Sequence, residues 1–175
     1  MRRGILDELR QAIAARLPVA VVTMLATGDQ RLIEKGALSG DPGLDTALAE
    51  GFRRDRSGVA TTAAGEAFVN IHNPPLRLVA IGAVHIAQGL VPLAQGAGYD
   101  VTIIDPRTAF ATPERFGGIR LIAEWPDEAL PRIGLDARTA FLALTHDPKI
   151  DEPALTAALA SDVFYVGALG SSRTH

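Results

Sequence analysis

Residues 76–87 read Leu76-Arg-Leu-Val-Ala-Ile-Gly-Ala-Val-His-Ile-Ala87. A run of Val, Ile and Leu ends at Gly82, and an apolar helical pattern begins at once. An uninterrupted apolar strand of this kind is buried on both faces, as in a parallel sheet covered by helices. The turn that follows is where such sheets hold ligands, because backbone N–H groups at a helix start favour anions. A dinucleotide-binding turn reads Gly-x-Gly-x-x-Gly/Ala. Gly82 and Ala87 match its ends, but the middle glycine is replaced by Val84, whose side chain crowds an approaching pyrophosphate.

Downstream, apolar strands and helical patterns alternate. Strands are expected at 76–81, 100–105, 119–123, 139–145 and 163–166. Helices are expected at 85–96, from 125 onward, and at 151–160 with Leu155 and Leu159 facing inward. Pro92 lies inside the first of these helices, and Phe110–Phe116 is a short helical or irregular piece. Such alternation specifies a parallel sheet with right-handed crossovers. The predicted fold is therefore a Rossmann-like, doubly wound α/β domain over residues 76–175.

Upstream, the pattern changes. Residues 4–16 form an amphipathic helix that Pro18 ends. Strands follow at 19–25 and 31–34 around a turn at Gly28-Asp29. A helix at 44–52 and short strands at 59–62 and 66–71 complete a small α+β unit. The Gly40-Asp-Pro-Gly43 loop is only a turn in this reading. His72-Asn-Pro-Pro75 cannot continue a sheet interior and marks the boundary, giving domains 1–72 and 76–175. The segment Gly167–His175 looks like a loop leading into another helix. A sheet ending there lacks a cover on one face, so the chain is expected to be truncated.

Composition narrows the function. The 175 residues carry a net charge of −3 and no Cys, with a pI near 5.8 and mean hydropathy of +0.17. Nucleic-acid binding needs a basic face, which this charge balance does not supply. Disulfides, thiolate metal sites and a Cys nucleophile are excluded. No secretory signal or membrane-length apolar run is visible, so a cytoplasmic protein is expected. No ligand set with zinc spacing is present either.

Polar residues at the strand ends are the candidate site. After the first strand come Gly82, Val84, His85 and Gln88, and after the second Asp105 and Arg107. Thr145, His146 and Asp147 follow the fourth, and Gly170, Ser171, Ser172, Arg173 and His175 the fifth. Three of the four histidines fall on this list. Asp105 follows Gly82 by 23 residues (105 − 82), the spacing of a ribose-binding acid, although an Asp capping the next turn fits equally. Arg107 is either a bidentate phosphate ligand or a surface residue. His85 in the first helical turn is biased towards its neutral form. Ser171 and Ser172 lack a nucleophile-elbow setting and read as part of an anion-holding loop beside Arg173. No catalytic residue and no metal ligand is assigned.

Four blocks carry a family resemblance: Gly82-Ala-Val-His-Ile-Ala-Gln88, Asp100-Val-Thr-Ile-Ile-Asp-Pro-Arg107, Leu144-Thr-His-Asp-Pro148 and Val166-Gly-Ala-Leu-Gly-Ser-Ser-Arg-Thr-His175. In order and together they resemble the XdhC/CoxI family, accessory proteins for maturation of xanthine dehydrogenase and related molybdenum hydroxylases. The resemblance implies binding of molybdenum cofactor, help in its sulfuration and its insertion into a xanthine dehydrogenase-type apo-enzyme. It implies a small N-terminal domain. A partner cysteine desulfurase is one source of the sulfuration chemistry, and a homodimer is the default expectation for an oligomer. Contacts carried over are Gly82, His85, Asp105, Arg107, His146, Asp147, Ser171, Arg173 and His175, with Val84 in the same turn. Residues 36–45, Gly-Ala-Leu-Ser-Gly-Asp-Pro-Gly-Leu-Asp, stand where the family has Gly-x-x-x-Gly-Gly-Cys-Val-Glu, and the cysteine is missing. The N-terminal domain also looks shortened. Two other readings share the fold: an NAD(P)-dependent oxidoreductase, and a non-enzymatic scaffold for the target enzyme.

Overall fold

The central strand of the second half is β5 (Arg77–Ile81), and every one of its residues is buried. In the computed structural model, which describes residues 3–170, the chain divides into two units, Met1–Pro74 and Pro75–His175. In the second unit β5 lies between β6 (Asp100–Ile104) and β8 (Thr139–Ala143). The edges are β7 (Arg120–Ile122) and β9 (Tyr165–Ala168), giving the order β7-β6-β5-β8-β9. All four pairings are parallel. This is the expected Rossmann-like architecture.

Alternate residues of β5 feed different cores, as a pleated strand requires. Leu78 and Ala80 pack with Ala87, Val91 and Ala94 of α3 (His85–Gly96) and with Ala111 and Phe116 of the β6–β7 connection. Val79 and Ile81 pack with Ala129 and Leu130 of α4 (Pro126–Ile133) and with α5 (Pro148–Leu159). Pro92 lies within α3 on its exposed side. The buried guanidinium of Arg77 is satisfied at the opposite end of the strand. It donates to Thr139 Oγ1 at 2.7 Å and to the Ile133 and Gly134 carbonyls, and it pairs with Asp136.

Of the elements whose bounds differ from the sequence reading, two bear on the site. The last strand begins two residues later than expected, because Val163 packs with the core below the sheet and Phe164 is half exposed. Helix α5 begins at Pro148, capped by Asp147, whose Oδ1 accepts from Lys149 N at 3.0 Å. Its inward stripe is Ile150, Ala154 and Ala158, with Asp151 beside it, while Leu159 is 73% exposed. Small residues let this helix approach the sheet closely, and that outweighs the pull of the larger leucine.

The first unit is an antiparallel sheet of order β2-β1-β4-β3. Its strands are β1 (Val19–Met24), β2 (Gln30–Glu34), β3 (Gly58–Thr62) and β4 (Gly65–His72). Here β1 is apolar and buried over Val19–Val22 because both faces are covered there. Val19 and Val21 meet Leu9 and Ala12 of α1 (Arg3–Ala14), whereas Ala20 and Val22 meet Leu44, Leu48 and Phe52 of α2 (Pro42–Arg54). The Gly40–Gly43 turn does more than turn the chain. Asp41 caps α2, accepting from Leu44 N at 3.0 Å, and its other oxygen accepts from Ala63 N at 2.7 Å in the β3–β4 turn. No described helix is long and apolar enough to cross a membrane.

The face chosen by α5 is open to a direct comparison. Ala158→Leu should lower stability by about 1–3 kcal/mol through overpacking, whereas Leu159→Ser should stay within about 0.5 kcal/mol of wild type. Urea denaturation of both variants reads the difference, and equal losses would place α5 wrongly.

Candidate functional site

Parallel register aligns the strand ends. Ile122, Ile104, Ile81, Ala143 and Ala168 are successive partners across the sheet, so Asp105, Gly82, Leu144 and Leu169 emerge along one edge. Strand order reverses at β5, and the crevice of such a fold opens there.

Gly82 makes the first turn with φ +110°. A Cβ at this position would lie 2.7 Å from Thr145 Cγ2, so both backbone conformation and space demand glycine. Ala83 N–H then donates to Asp105 Oδ2 at 2.7 Å. Oδ1 of the same carboxylate accepts from Arg107 N and Nε, each at 2.9 Å, and Oδ2 also accepts from Arg107 Nη2 at 2.8 Å. Asp105 is fully buried, and each oxygen holds two donors. Burial pushes its pKa up, but the hydrogen bonds from Arg107 and Ala83 outweigh it and hold the carboxyl below its ordinary 3.8. Arg107 is shifted up, first by its hydrogen bond to Asp105, with Asp147 and Asp151 adding to the attraction. Asp105 therefore braces the turn and orients Arg107. It does not turn an open carboxylate to solvent.

Val84 is the N-cap residue of α3 and offers no side-chain acceptor. His85 is exposed in the first turn, and Gln88 accepts from Arg115 Nη2 at 3.3 Å. On the other side of the crevice a second buried acid shapes the β8–α5 loop. Asp151 accepts from Thr145 Oγ1 at 2.8 Å and from His146 N at 2.8 Å. It holds His146 in the left-handed region at φ +62°. The imidazole Nδ1 lies 3.1 Å from the Leu169 carbonyl. A carbonyl only accepts, so Nδ1 carries the proton in this bond and the neutral ring offers Nε2 as an acceptor.

Gly82, Val84, Asp105 and Arg107 are thus brought together at the first turn. His146 and Asp147 lie across from them, with Asp147 close enough to act on Arg107. Ser171, Ser172, Arg173 and His175 lie outside the described residues. The sequence reading missed Asp151, which it took only as the start of a helix. The signal was a carboxylate on the same inward stripe as Ile150 and Ala154. It also missed Arg115 and Phe110, which sit in the irregular β6–β7 connection where no periodicity points anywhere. Among the described residues no cluster of metal-ligating side chains occurs.

Because the folded pKa of Asp105 is depressed, its contribution is present above about pH 4 and fades as pH falls through the folded value. Asp105→Asn should cost about 2 kcal/mol at neutral pH by weakening charged hydrogen bonds. It should also flatten the loss of stability below pH 4, read by denaturation across pH 2–7. An unchanged acid limb would remove Asp105 from this role.

Three comparisons bear on identity. Residues 78–175 match the family described as the XdhC Rossmann domain. Over 102 residues the chain is 34% identical to the molybdenum cofactor insertion chaperone PaoD of Escherichia coli (strain K12), covering 58% of this chain and 26% of that protein. The fold resembles the crystal structure of a protein described as a xanthine dehydrogenase from Bacillus halodurans, with TM-score 0.66 and 21% identity, covering 98% of this chain and 53% of that one. The chain thus spans about a quarter of the first relative and about half of the second. With more than half of its residues inside the matched domain, this chain belongs to the XdhC family.

Proposed function

We propose that this chain binds molybdenum cofactor as cargo and assists its insertion into a xanthine dehydrogenase-type apo-enzyme. The likeness to an insertion chaperone extends over 102 residues, 58% of this chain. The observation that carries the reading is the commitment of Asp105. In a nicotinamide-dinucleotide site this acid receives ribose hydroxyls, but here both its oxygens are filled by Ala83 and Arg107. With Val84 replacing the middle glycine, the crevice is poorly suited to NAD(P).

Carrier chemistry asks for less. A bound pterin presents N–H donors, to which His146 Nε2 and the Asp147 carboxylate offer acceptors. His85 lies beside the turn. Ser171, Arg173 and His175 are included on the family resemblance alone, and residues 1–72 are taken as a shortened N-terminal domain. The chain has no Cys to carry a persulfide, so sulfuration of the cargo falls to a partner, for which a cysteine desulfurase is the chemical fit. The protein acts in the cytoplasm, as a homodimer, in this reading.

Side-by-side thermal shifts with isolated molybdenum cofactor and with NADPH test it. Cofactor at a hundredfold excess over its dissociation constant should stabilise the protein by about 2.7 kcal/mol, NADPH should not, and His146→Ala should reduce the shift. Stabilisation by NADPH alone would replace this reading with the oxidoreductase.

A further inference from the structure

Phe110 lies in the β6–β7 connection with its side chain 43% exposed. Two guanidinium groups converge on its ring, Arg107 Cζ at 4.7 Å and Arg115 Cζ at 5.8 Å from the centroid. Arg115 also lies 5.3 Å from the centroid of the buried Phe116 ring. Both arginines gain from the π-faces, but two cations on one ring repel each other. Only one of them is neutralised within the cluster. Arg107 is bidentate on Asp105, and Asp147 and Asp151 act on it as well.

Arg115 is held differently. Its Nη1 donates to the Phe110 carbonyl at 2.9 Å and its Nη2 to Gln88 Oε1 at 3.3 Å, both uncharged acceptors. Among the described residues no carboxylate pairs with it. Two rings and two neutral acceptors fix the guanidinium and leave Nε–H and further terminal N–H donors uncommitted. A fixed, uncompensated guanidinium suits a bidentate oxyanion ligand, because the ordering of its side chain precedes binding. The sequence pointed to Arg107 for this task, but its own carboxylate occupies it.

We propose that Arg115 is the oxyanion-reading residue of the crevice, taking a phosphate monoester group, with Gln88 and Phe110 as its positioning residues. That the phosphate belongs to molybdopterin rests on the cargo reading above, and the recognition of phosphate by Arg115 does not.

Isothermal titration with phenyl phosphate at low ionic strength separates the two. Wild type should bind, and Arg115→Ala should weaken binding at least about tenfold through loss of charge-assisted hydrogen bonds. Arg115→Lys should recover part of it, because the charge returns without the fork. Gln88→Glu supplies the missing carboxylate and should abolish phenyl phosphate binding while leaving the melting temperature equal or higher, so misfolding is not the cause. Arg120→Ala, at the opposite strand end, is the control. Undiminished binding by Arg115→Ala or Gln88→Glu, or no binding by wild type, overturns the proposal. Titration of wild type and Arg115→Ala with molybdenum cofactor completes the set. Equal cofactor binding by the two would overturn the attribution of the phosphate to molybdopterin and leave the cargo reading intact. Arg115-dependent phenyl phosphate binding with no cofactor binding would overturn the cargo reading and leave the Arg115 assignment intact.

Discussion

The carboxylate of Asp105 organises the crevice. It is buried completely, and burial of an unpaired carboxylate is prohibitively costly, so its partners are obligatory. One of them is a backbone N–H in the turn after β5, and the others belong to Arg107. A single side chain therefore joins two strand ends, closes the Gly82 turn from beneath and sets the direction of a guanidinium. Asp151 repeats the device across the crevice, where it fixes the β8–α5 loop through Thr145 Oγ1 and the His146 amide. Loops that would otherwise be the softest part of the fold are thus held by charge-assisted hydrogen bonds to groups anchored in regular structure.

This changes what the dinucleotide-like turn can mean. In a nucleotide-binding version the acid after the second strand remains open to ligand, and the middle glycine lets a pyrophosphate reach the backbone. Here the acid has become structural and the glycine has become Val84, while Gly82 is retained because Thr145 leaves no room for a side chain. The feature that survives is the one the backbone needs, and the two that differ are those the nucleotide needs. Scaffold and ligand specificity are separable in this fold, and the sequence shows them separating.

Much of the architecture was legible because burial on both faces writes itself into composition. β5 and β1 read as strands from unbroken apolar runs, and Gly82 marked where β5 ends. The boundaries of α3 followed from its apolar pattern and the glycines after it. Helix α5 was read correctly at Leu155, which packs against the core, and misread at Leu159, because a leucine outweighs alanines on any hydrophobicity argument, whereas a close helix–sheet contact selects for small residues such as Ala154 and Ala158. Site chemistry was legible by position and not by role. Spacing located Asp105, but whether a carboxylate meets a ligand or its own turn depends on an Arg two residues away folding back on it. Arg115 and Phe110 lay beyond reach, since their proximity is created by an irregular connection with no period to read.

The missing cysteine acquires a physical meaning from this geometry. A soft thiolate would grip molybdenum directly, and the chain has none to offer. The groups that line its crevice are hard or neutral: an imidazole acceptor, carboxylates, backbone amides and guanidinium. In the proposed carrier role such a set would hold the organic part of a metal cofactor by hydrogen bonding and charge and leave the metal's own ligand sphere untouched. Recognition of that kind is well matched to transfer. A carrier that bound the metal would have to break a coordination bond at delivery, whereas one that holds polar edges can exchange each hydrogen bond for one to water or to the receiving protein.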